Sequence, residues 1–198
     1  MTHIIDISLI ILAYLFGSIS TAIIVSKLWR LPDPRTVGSK NPGATNVLRH
    51  GGKAAAITTL LGDALKAVIP VLIAKWLGLS PLIQATVVLA ACLGHMYPIF
   101  FKFQGGKGVA TGFGGIIALT WPVGLMTLIT WAIIARIFKY SSLSALISYL
   151  LLPFYIWMFS DRHYLIPVSL LSLIVIIKHH QNIKNLIHGK ENKLNLKS

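Results

Sequence analysis

Residues 38–53, GSKNPGATNVLRHGGK, combine side chains that suit the binding of an anion. Four glycines let backbone amides turn toward a ligand, hydroxyl and amide side chains add neutral donors, and the planar guanidinium of Arg49 fits a phosphate. A loop that only oriented a membrane protein would need Lys and Arg, but not these turn-forming residues and neutral donors. This first polar segment is therefore predicted to bind phosphate through Ser39, Asn41, Gly43, Thr45, Asn46 and Arg49.

A second polar segment, residues 94–111 (GHMYPIFFKFQGGKGVAT), places Lys107 among three glycines at the start of a predicted helix. Free amides and the positive helix end attract an anion there. A Walker A loop would need G-x-x-x-x-G-K-[ST], but Phe101 occupies the first glycine position and Gly108 follows the lysine. We therefore predict phosphate binding without nucleotide hydrolysis. The predicted contacts are His95, Gly105, Gly106 and Lys107, although a hydrogen bond to the backbone would explain His95 equally well.

A tail segment, residues 178–193 (KHHQNIKNLIHGKENK), follows the last apolar run. His179 and Asn182 are three residues apart, so they share one helix face from which both can donate to a phosphate. The adjacent His179 and His180 point in different directions, which is a poor arrangement for a shared metal ion. We predict phosphate contacts by His179, Asn182 and Glu191, and we predict neither a metal nor a cofactor.

The rest of the chain is too apolar for a soluble protein. Of its 198 residues, 55% are hydrophobic and 12% are charged, and the mean hydropathy is +0.75. The net charge of +13 would point to nucleic acid in a soluble protein, but here the cations lie between apolar runs. We predict one all-α transmembrane domain over residues 1–198, because a lipid-exposed backbone must satisfy its own hydrogen bonds. The apolar runs are 4–26, 54–77, 82–101, 109–121, 122–135, 142–159 and 164–178.

The distribution of Lys and Arg predicts the topology. The runs 109–121 and 122–135 meet at Trp121-Pro122, and each is short for a hydrocarbon core of about 30 Å. A turn there puts fifteen Lys and Arg residues on one side of the membrane and two on the other, whereas a single helix over 109–135 gives nine and eight. We therefore predict seven transmembrane helices, the two central ones short, with the N-terminus outside and the C-terminus cytoplasmic. A re-entrant hairpin at 109–135 fits the same counts.

This topology gathers all three polar segments at the cytoplasmic face. Asp63 and Lys66, three residues apart within the second apolar run, are expected to neutralise one another. Cys92 is expected to be a packing residue, and as the single cysteine it can form no disulfide within the chain.

The three polar segments resemble the three cytoplasmic motifs of the acyl-phosphate:glycerol-3-phosphate acyltransferase (PlsY) family of bacterial inner-membrane enzymes. The matching stretches are GSKNPGATNVLR, GHMYPIFFKFQGGKGVAT and HHQNIKNLIHGKE, and the resemblance extends over essentially the whole chain. Two positions depart from the family pattern: Lys178 replaces the preferred arginine, and a second histidine stands at His180.

The resemblance implies transfer of a fatty acyl group from acyl phosphate to the 1-hydroxyl of glycerol 3-phosphate, an early step of phospholipid synthesis. The products would be 1-acylglycerol 3-phosphate and phosphate, formed without acyl-CoA, acyl carrier protein or a metal. A donor phosphate oxygen is the expected proton acceptor, with His95 or His179 as the protein alternative. The positions that match the family's functional residues, and are therefore predicted to be catalytic, are Ser39, Arg49, Lys107, His179 and Asn182.

A transporter of phosphorylated metabolites is the alternative from a different class. It would also need cations and interrupted helices, but it predicts access from both faces of the membrane. The opposite face is nearly uncharged here, and the sequence has no inverted repeat with matched broken segments, so the enzyme is favoured. The predicted partners are the two substrates and membrane lipid, without nucleic acid.

Overall fold

The computed structural model describes residues 2–194, and within that range the chain is helical apart from turns and connecting loops. Lys197, one of the predicted cytoplasmic cations, lies outside the described residues. Two short 3-10 helices cover Ile99–Phe101 and Arg162–Tyr164. The α-helices are α1 (Thr2–Gly17), α2 (Thr21–Leu28), α3 (Ala44–Trp76), α4 (Pro81–Met96), α5 (Val109–Leu119), α6 (Trp121–Phe138), α7 (Ser141–Phe159), α8 (Leu165–Lys178) and α9 (His180–Ile187).

Each predicted apolar run overlaps at least one helix, and the all-helical architecture is confirmed for residues 2–194. The first run is broken between α1 and α2 but is still apolar enough to cross a membrane as one unit, His3–Leu28. Among residues 2–194, five helices have the length and composition of a membrane span, or six if α8 and α9, which meet at 54°, are counted as one broken span. The number of seven spans and the orientation stay predictions.

The central pair of helices differs in part from the prediction. Thr120 is extended (φ −153°, ψ 94°), so α5 and α6 are separate helices and a single helix over 109–135 is excluded. The prediction that both are short is wrong for α6, which has 18 residues and passes Ala135 to end at Phe138. Its first turn packs against α5, where a Cβ on Gly124 would lie 2.6 Å from the Cα of Ile117. The sequence did not predict this extension, because the first residue beyond the apolar run is the charged Arg136.

Close helix contacts hold the bundle together. Helix α1 packs on α4 so tightly that a Cβ on Gly94 would lie 2.1 Å from the Tyr14 carbonyl oxygen. Such approaches are possible only with small residues, which is how helices gain packing energy in lipid, where no hydrophobic effect drives them together. Helix α3 packs on α5, α6 on α7, and α7 on α8. The shared core includes Val88, Ile116 and Leu152, all fully buried.

The outer surface of the bundle is apolar. Large side chains such as Ile4, Trp76 and Ile166 are 71%, 84% and 70% exposed. Apolar surface on this scale is unfavourable in water and stable against lipid tails, which agrees with a multi-pass membrane protein.

Polar residues collect where helices begin and end. Helix α3 is interrupted at Gly52 (φ 81°, ψ 177°), so its first residues, which carry Arg49, form a short arm distinct from the apolar body of the helix. Helix α5 begins directly after Lys107 and Gly108, and α8 ends one residue before His179.

Candidate active site

The structure brings all three polar segments into contact. Arg49 of the first segment donates from Nη2 to the carbonyl of Asn192 at 3.3 Å. Lys107 of the second segment donates from Nζ to Oδ1 of Asn182 in the tail. Residues far apart in the sequence therefore meet at one end of the bundle.

A chain of hydrogen bonds runs from Lys107 through the tail to α7. Asn182 donates from Nδ2 to Oε1 of Glu191 at 2.7 Å, and the hydroxyl of Ser142 donates to the same oxygen at 2.7 Å. Because the oxygen and the nitrogen of the Asn182 side-chain amide each have a distinct partner, the orientation of the amide is fixed, with the oxygen toward Lys107. Glu191 thus positions Asn182, and as an anion it is poorly suited to the predicted contact with phosphate.

Positive charge is concentrated around Lys107. Burial lowers the pKa of the Lys107 ammonium, the positive charges of Lys178 and Arg49 lower it further, and Glu191 acts in the opposite direction. Lys178 donates to the Met96 carbonyl at 3.3 Å and lies 4.5 Å from the ring centroid of Tyr97. Three cations against one carboxylate leave a surplus of positive charge that an anionic ligand would neutralise.

His179 lies beside Lys107 with only 3% of its surface exposed. Its Nδ1 is 2.7 Å from the carbonyl of Val175, which can only accept, so Nδ1 carries a proton. Burial lowers the pKa of His179 to about 4, and the charge of Lys107 acts in the same direction. At neutral pH the imidazole is therefore uncharged, and Nε2 holds a lone pair that can accept a hydrogen bond or a proton.

The first polar segment is organised by Asn46. Its Nδ2 donates to the carbonyls of Pro34 and Val37 at 2.9 and 3.1 Å, and its Oδ1 accepts from the amide of Ser39 at 3.1 Å. Only 2% of Asn46 is exposed. Both N–H donors of the Asn46 amide are therefore used by the backbone, which does not support its predicted contact with phosphate.

The other predicted residues of this segment surround the start of α3. Gly43 precedes the first residue of α3, and its amide donates to the carbonyl of Asn41 at 2.9 Å. The hydroxyl of Thr45 lies 3.3 Å from that of Ser141, and Ser39 and Arg49 are exposed. Ser39 and Arg49 are thus accessible to a ligand, as a phosphate contact requires.

His95 lies in a different environment. It is buried against Asp63 and Lys66, and Gly105 and Gly106 pack directly on it. The expected pairing of Asp63 and Lys66 is confirmed, with 2.9 Å between Nζ and Oδ1. His95 therefore lies behind the glycines that precede Lys107, which does not support its predicted contact with phosphate.

Ser142 was missed by the sequence reasoning. A signal existed, since Ser141 and Ser142 interrupt the apolar pattern where α7 begins, at the end of the bundle that carries the polar segments. The carbonyl of Asn192 could not have been found, because a backbone acceptor leaves no trace in residue types.

A cavity of about 530 Å³ opens beside the second polar segment. It is lined by Asp33, Arg35, Thr36, Phe100, Phe101, Lys102 and Gln104. Arg35 of this lining is paired with Asp33 at 2.6 Å, so the net positive charge comes from Lys102, beside the rings of Phe100 and Phe101. Aromatic surface next to a cation suits an amphiphilic anion. Across residues 2–194, no three His, Cys, Asp or Glu side chains group in a way that could hold a metal ion.

A family model described as glycerol-3-phosphate acyltransferase matches residues 7–189. The glycerol-3-phosphate acyltransferase of Vibrio campbellii is 54% identical over 186 residues, covering 92% of this chain and 89% of the relative. That of Methylococcus capsulatus is 53% identical over 190 residues, covering 96% of each.

Two crystal structures of PlsY (YgiH), an integral membrane glycerol 3-phosphate acyltransferase, have the same fold. The glycerol 3-phosphate form gives a TM-score of 0.91 at 36% identity and covers 96% of both chains. The lysophosphatidic acid form gives 0.87 at 34% identity and covers 95% of this chain and 94% of the other.

Proposed function

Because the chain belongs to the glycerol-3-phosphate acyltransferase family, we propose that it transfers a fatty acyl group from acyl phosphate to the 1-hydroxyl of glycerol 3-phosphate. Family membership confirms the resemblance found in the polar segments and makes the protein a membrane acyltransferase of phospholipid synthesis. The donor, the acylated position and the residue roles are the parts that we propose.

The meeting of Arg49 and Lys107 with the tail segment is the observation that carries this proposal. Both substrates bear phosphate, and a site with surplus cations can bind the acceptor phosphate while neutralising the donor phosphate as it leaves. Ser39, His179 and Asn182 complete the set of side chains that we assign to these phosphates and to the attacking hydroxyl.

The reaction needs few chemical groups from the protein. The 1-hydroxyl oxygen of glycerol 3-phosphate attacks the acyl carbonyl carbon, the bond from that carbon to the phosphate oxygen breaks, and inorganic phosphate leaves. Acyl phosphate is a mixed anhydride with a good leaving group, so positioning and charge neutralisation supply much of the acceleration. No covalent acyl-enzyme is required, and Cys92, which is fully buried in α4, is not assigned as a nucleophile.

The hydroxyl proton passes to an oxygen of the leaving phosphate, and His179 is the protein alternative. The neutral imidazole, with Nδ1 engaged at Val175, has Nε2 free to accept that proton. His95 is not retained as an acceptor, because Nδ1 of its ring faces Asp63 at 3.5 Å and Nε2 lies against Gly106.

We assign the acyl donor to the cavity beside Phe100 and Lys102. Its mixed lining matches an acyl chain with an anionic head group, and Lys102 lies five residues before Lys107. We further assign the protein to the bacterial inner membrane with this end of the bundle in the cytoplasm, as the excess of Lys and Arg supports.

The test is a reconstituted assay with protein purified in detergent. Given hexadecanoyl phosphate and glycerol 3-phosphate, the protein should release phosphate and form 1-acylglycerol 3-phosphate in equal amounts, with no reaction from hexadecanoyl-CoA. Monodisperse protein without turnover would contradict the proposal. Uptake of labelled glycerol 3-phosphate into protein-containing vesicles would instead support the transporter.

A further inference from the structure

Three ionisable side chains are buried together inside the helical domain, behind the loop that carries Lys107. Asp63, Lys66 and His95 are 1%, 3% and 7% exposed. One carboxylate oxygen of Asp63 lies 2.9 Å from Lys66 Nζ and 3.5 Å from His95 Nδ1. Burying such groups is costly, so a cluster of this kind is expected to have a role beyond holding helices together.

The cluster is connected directly to the glycines before Lys107. The amide of Gly106 donates to the His95 carbonyl at 3.0 Å. The His95 imidazole lies against the same glycine, since a Cβ there would be 2.1 Å from Nε2. A Cβ on Gly105 would be 2.1 Å from the His95 carbonyl oxygen. The ring and the carbonyl of His95 together set the path of the chain into Lys107.

Asp63 is the charged group that faces the His95 ring, through an ionic contact of 3.5 Å to Nδ1 rather than a hydrogen bond. Its carboxylate is the acidic partner of Nδ1, and the opposite edge of the ring faces Gly106. Lys66 balances the charge of Asp63, and its Nζ also donates to the Ile19 carbonyl at 3.0 Å, in the break between α1 and α2. The ring thus lies between the Asp63–Lys66 pair on one side and the glycine loop on the other.

We propose that Asp63 and His95 are positioning residues that hold the loop 105–108 so that the ammonium of Lys107 reaches Asn182 in the geometry needed for acyl transfer. Neither residue touches substrate. The effect on rate rests on the proposed function, because it assumes that Lys107 acts on a substrate phosphate. A displacement of about 1 Å in such a group lowers rates by up to about a hundredfold.

The first experiment measures coupling between His95 and Lys107. In the wild-type background, His95→Leu is expected to lower kcat/KM for phosphate release from hexadecanoyl phosphate about 10- to 100-fold. In the Lys107→Ala background the same substitution is expected to have little further effect, because the residue through which it acts is gone. An equal reduction in both backgrounds would overturn the proposal.

A second experiment does not depend on turnover. Lysine acylation by an N-hydroxysuccinimide ester, followed by mass spectrometry, reports the accessibility of Lys107 in the intact protein. His95→Leu should raise modification of Lys107 several-fold and leave exposed Lys75, at the far end of α3, unchanged. Unchanged modification of Lys107 would overturn the proposal even if the rate fell.

A second variant covers the case in which His95→Leu does not fold. Asp63→Asn combined with Lys66→Met keeps side chains of similar size and leaves no unpaired buried charge. It should raise modification of Lys107 and lower kcat/KM about tenfold or more. Wild-type protein that transfers no acyl group would contradict the proposed function, and the labelling result would then decide the positioning role alone.

Discussion

Lys107 and Asn182 lie 75 residues apart in the sequence and are joined by a hydrogen bond from Nζ to Oδ1. Asn182 is in turn bound to Glu191, and Glu191 to Ser142 of α7. The lysine assigned to phosphate is therefore held by the tail and by α7 as well as by its own loop.

Removing either of the two cations assigned to phosphate should reduce catalysis. Arg49 is exposed and Lys107 half-buried, and we expect bound substrate to shield both ion contacts from water. Arg49→Ala and Lys107→Ala should then each lose about 2–4 kcal/mol of transition-state stabilisation. Steady-state kcat/KM in detergent is the measurement. Lys75→Ala, an exposed cation at the opposite end of α3, is the control and should be silent. Normal turnover in folded Lys107→Ala protein would refute the phosphate assignment.

Glu191→Gln should reduce activity through Asn182. The carboxylate accepts from both Asn182 and Ser142, and hydrogen bonds to a charged group are worth about 1.5–3 kcal/mol. We expect kcat/KM to fall about tenfold or more, and Ser142→Ala, which removes one donor and keeps the charge, to have a smaller effect. An equal or larger effect of Ser142→Ala would show that Glu191 does not act through Asn182.

His179 should make the folded protein less stable in acid. Its pKa is about 4 in the folded protein against an ordinary value of 6.5. Between those values the unfolded chain binds a proton that the folded chain does not. Stability should therefore fall by at most about 1.4 kcal/mol per pH unit as the pH drops from 6.5 toward 4, with no contribution above 6.5.

The measurement is the thermal unfolding midpoint in detergent at pH 7.5 and pH 5. Wild-type protein should lose more of its Tm on acidification than His179→Gln, which has no group that titrates at this position. Equal losses in the two proteins would mean that His179 is not buried as a neutral group.

Cys92→Ala should leave turnover nearly unchanged. Cys92 lies on α4 and is fully buried in the hydrophobic core that several helices share. The substitution removes one sulfur atom and should cost about 1 kcal/mol of stability. Phosphate release and Tm are the readouts, and loss of turnover in protein with a normal Tm would contradict direct transfer.

Gly94→Ala should separate α1 from α4. The added Cβ would lie 2.1 Å from the Tyr14 carbonyl, and a backbone atom cannot move aside cheaply. We expect Tm to fall clearly. Gly78→Ala, which meets nothing within 4 Å but has φ +65°, should cost only about 1 kcal/mol. If the two variants lose equal stability, the contact between α1 and α4 is looser than described.

The sequence predicted the helices well, because a segment that crosses lipid must be apolar and must satisfy its own backbone hydrogen bonds as a helix. Every apolar run overlaps a helix, and the turn at Thr120 follows from the charge count together with Pro122. The break between α1 and α2 was not predicted, because Ser18 and Ser20 are too few to interrupt an apolar average.

The meeting of the three polar segments was predictable from the sequence, but the contacts of the individual side chains were not. Glycines, donors and cations identify an anion site, and the charge count brings the segments to one face. Asn46, Glu191 and His95 show the limit, since residue type does not reveal whether a polar side chain faces a ligand or another part of the protein. Asn46 binds backbone, Glu191 holds Asn182, and His95 is buried beside Asp63.

The end of the tail lies across the start of α3 and the end of α6. The Leu194 amide donates to the Lys139 carbonyl at 2.6 Å, and the Asn192 carbonyl accepts from Arg49. A chain cut just before Glu191 would keep all the apolar helices, yet it would lack the carboxylate that orients the amide of Asn182. Expression level and monodispersity are therefore poor guides to competent protein here, and a purification tag belongs at the N-terminus or behind a long spacer.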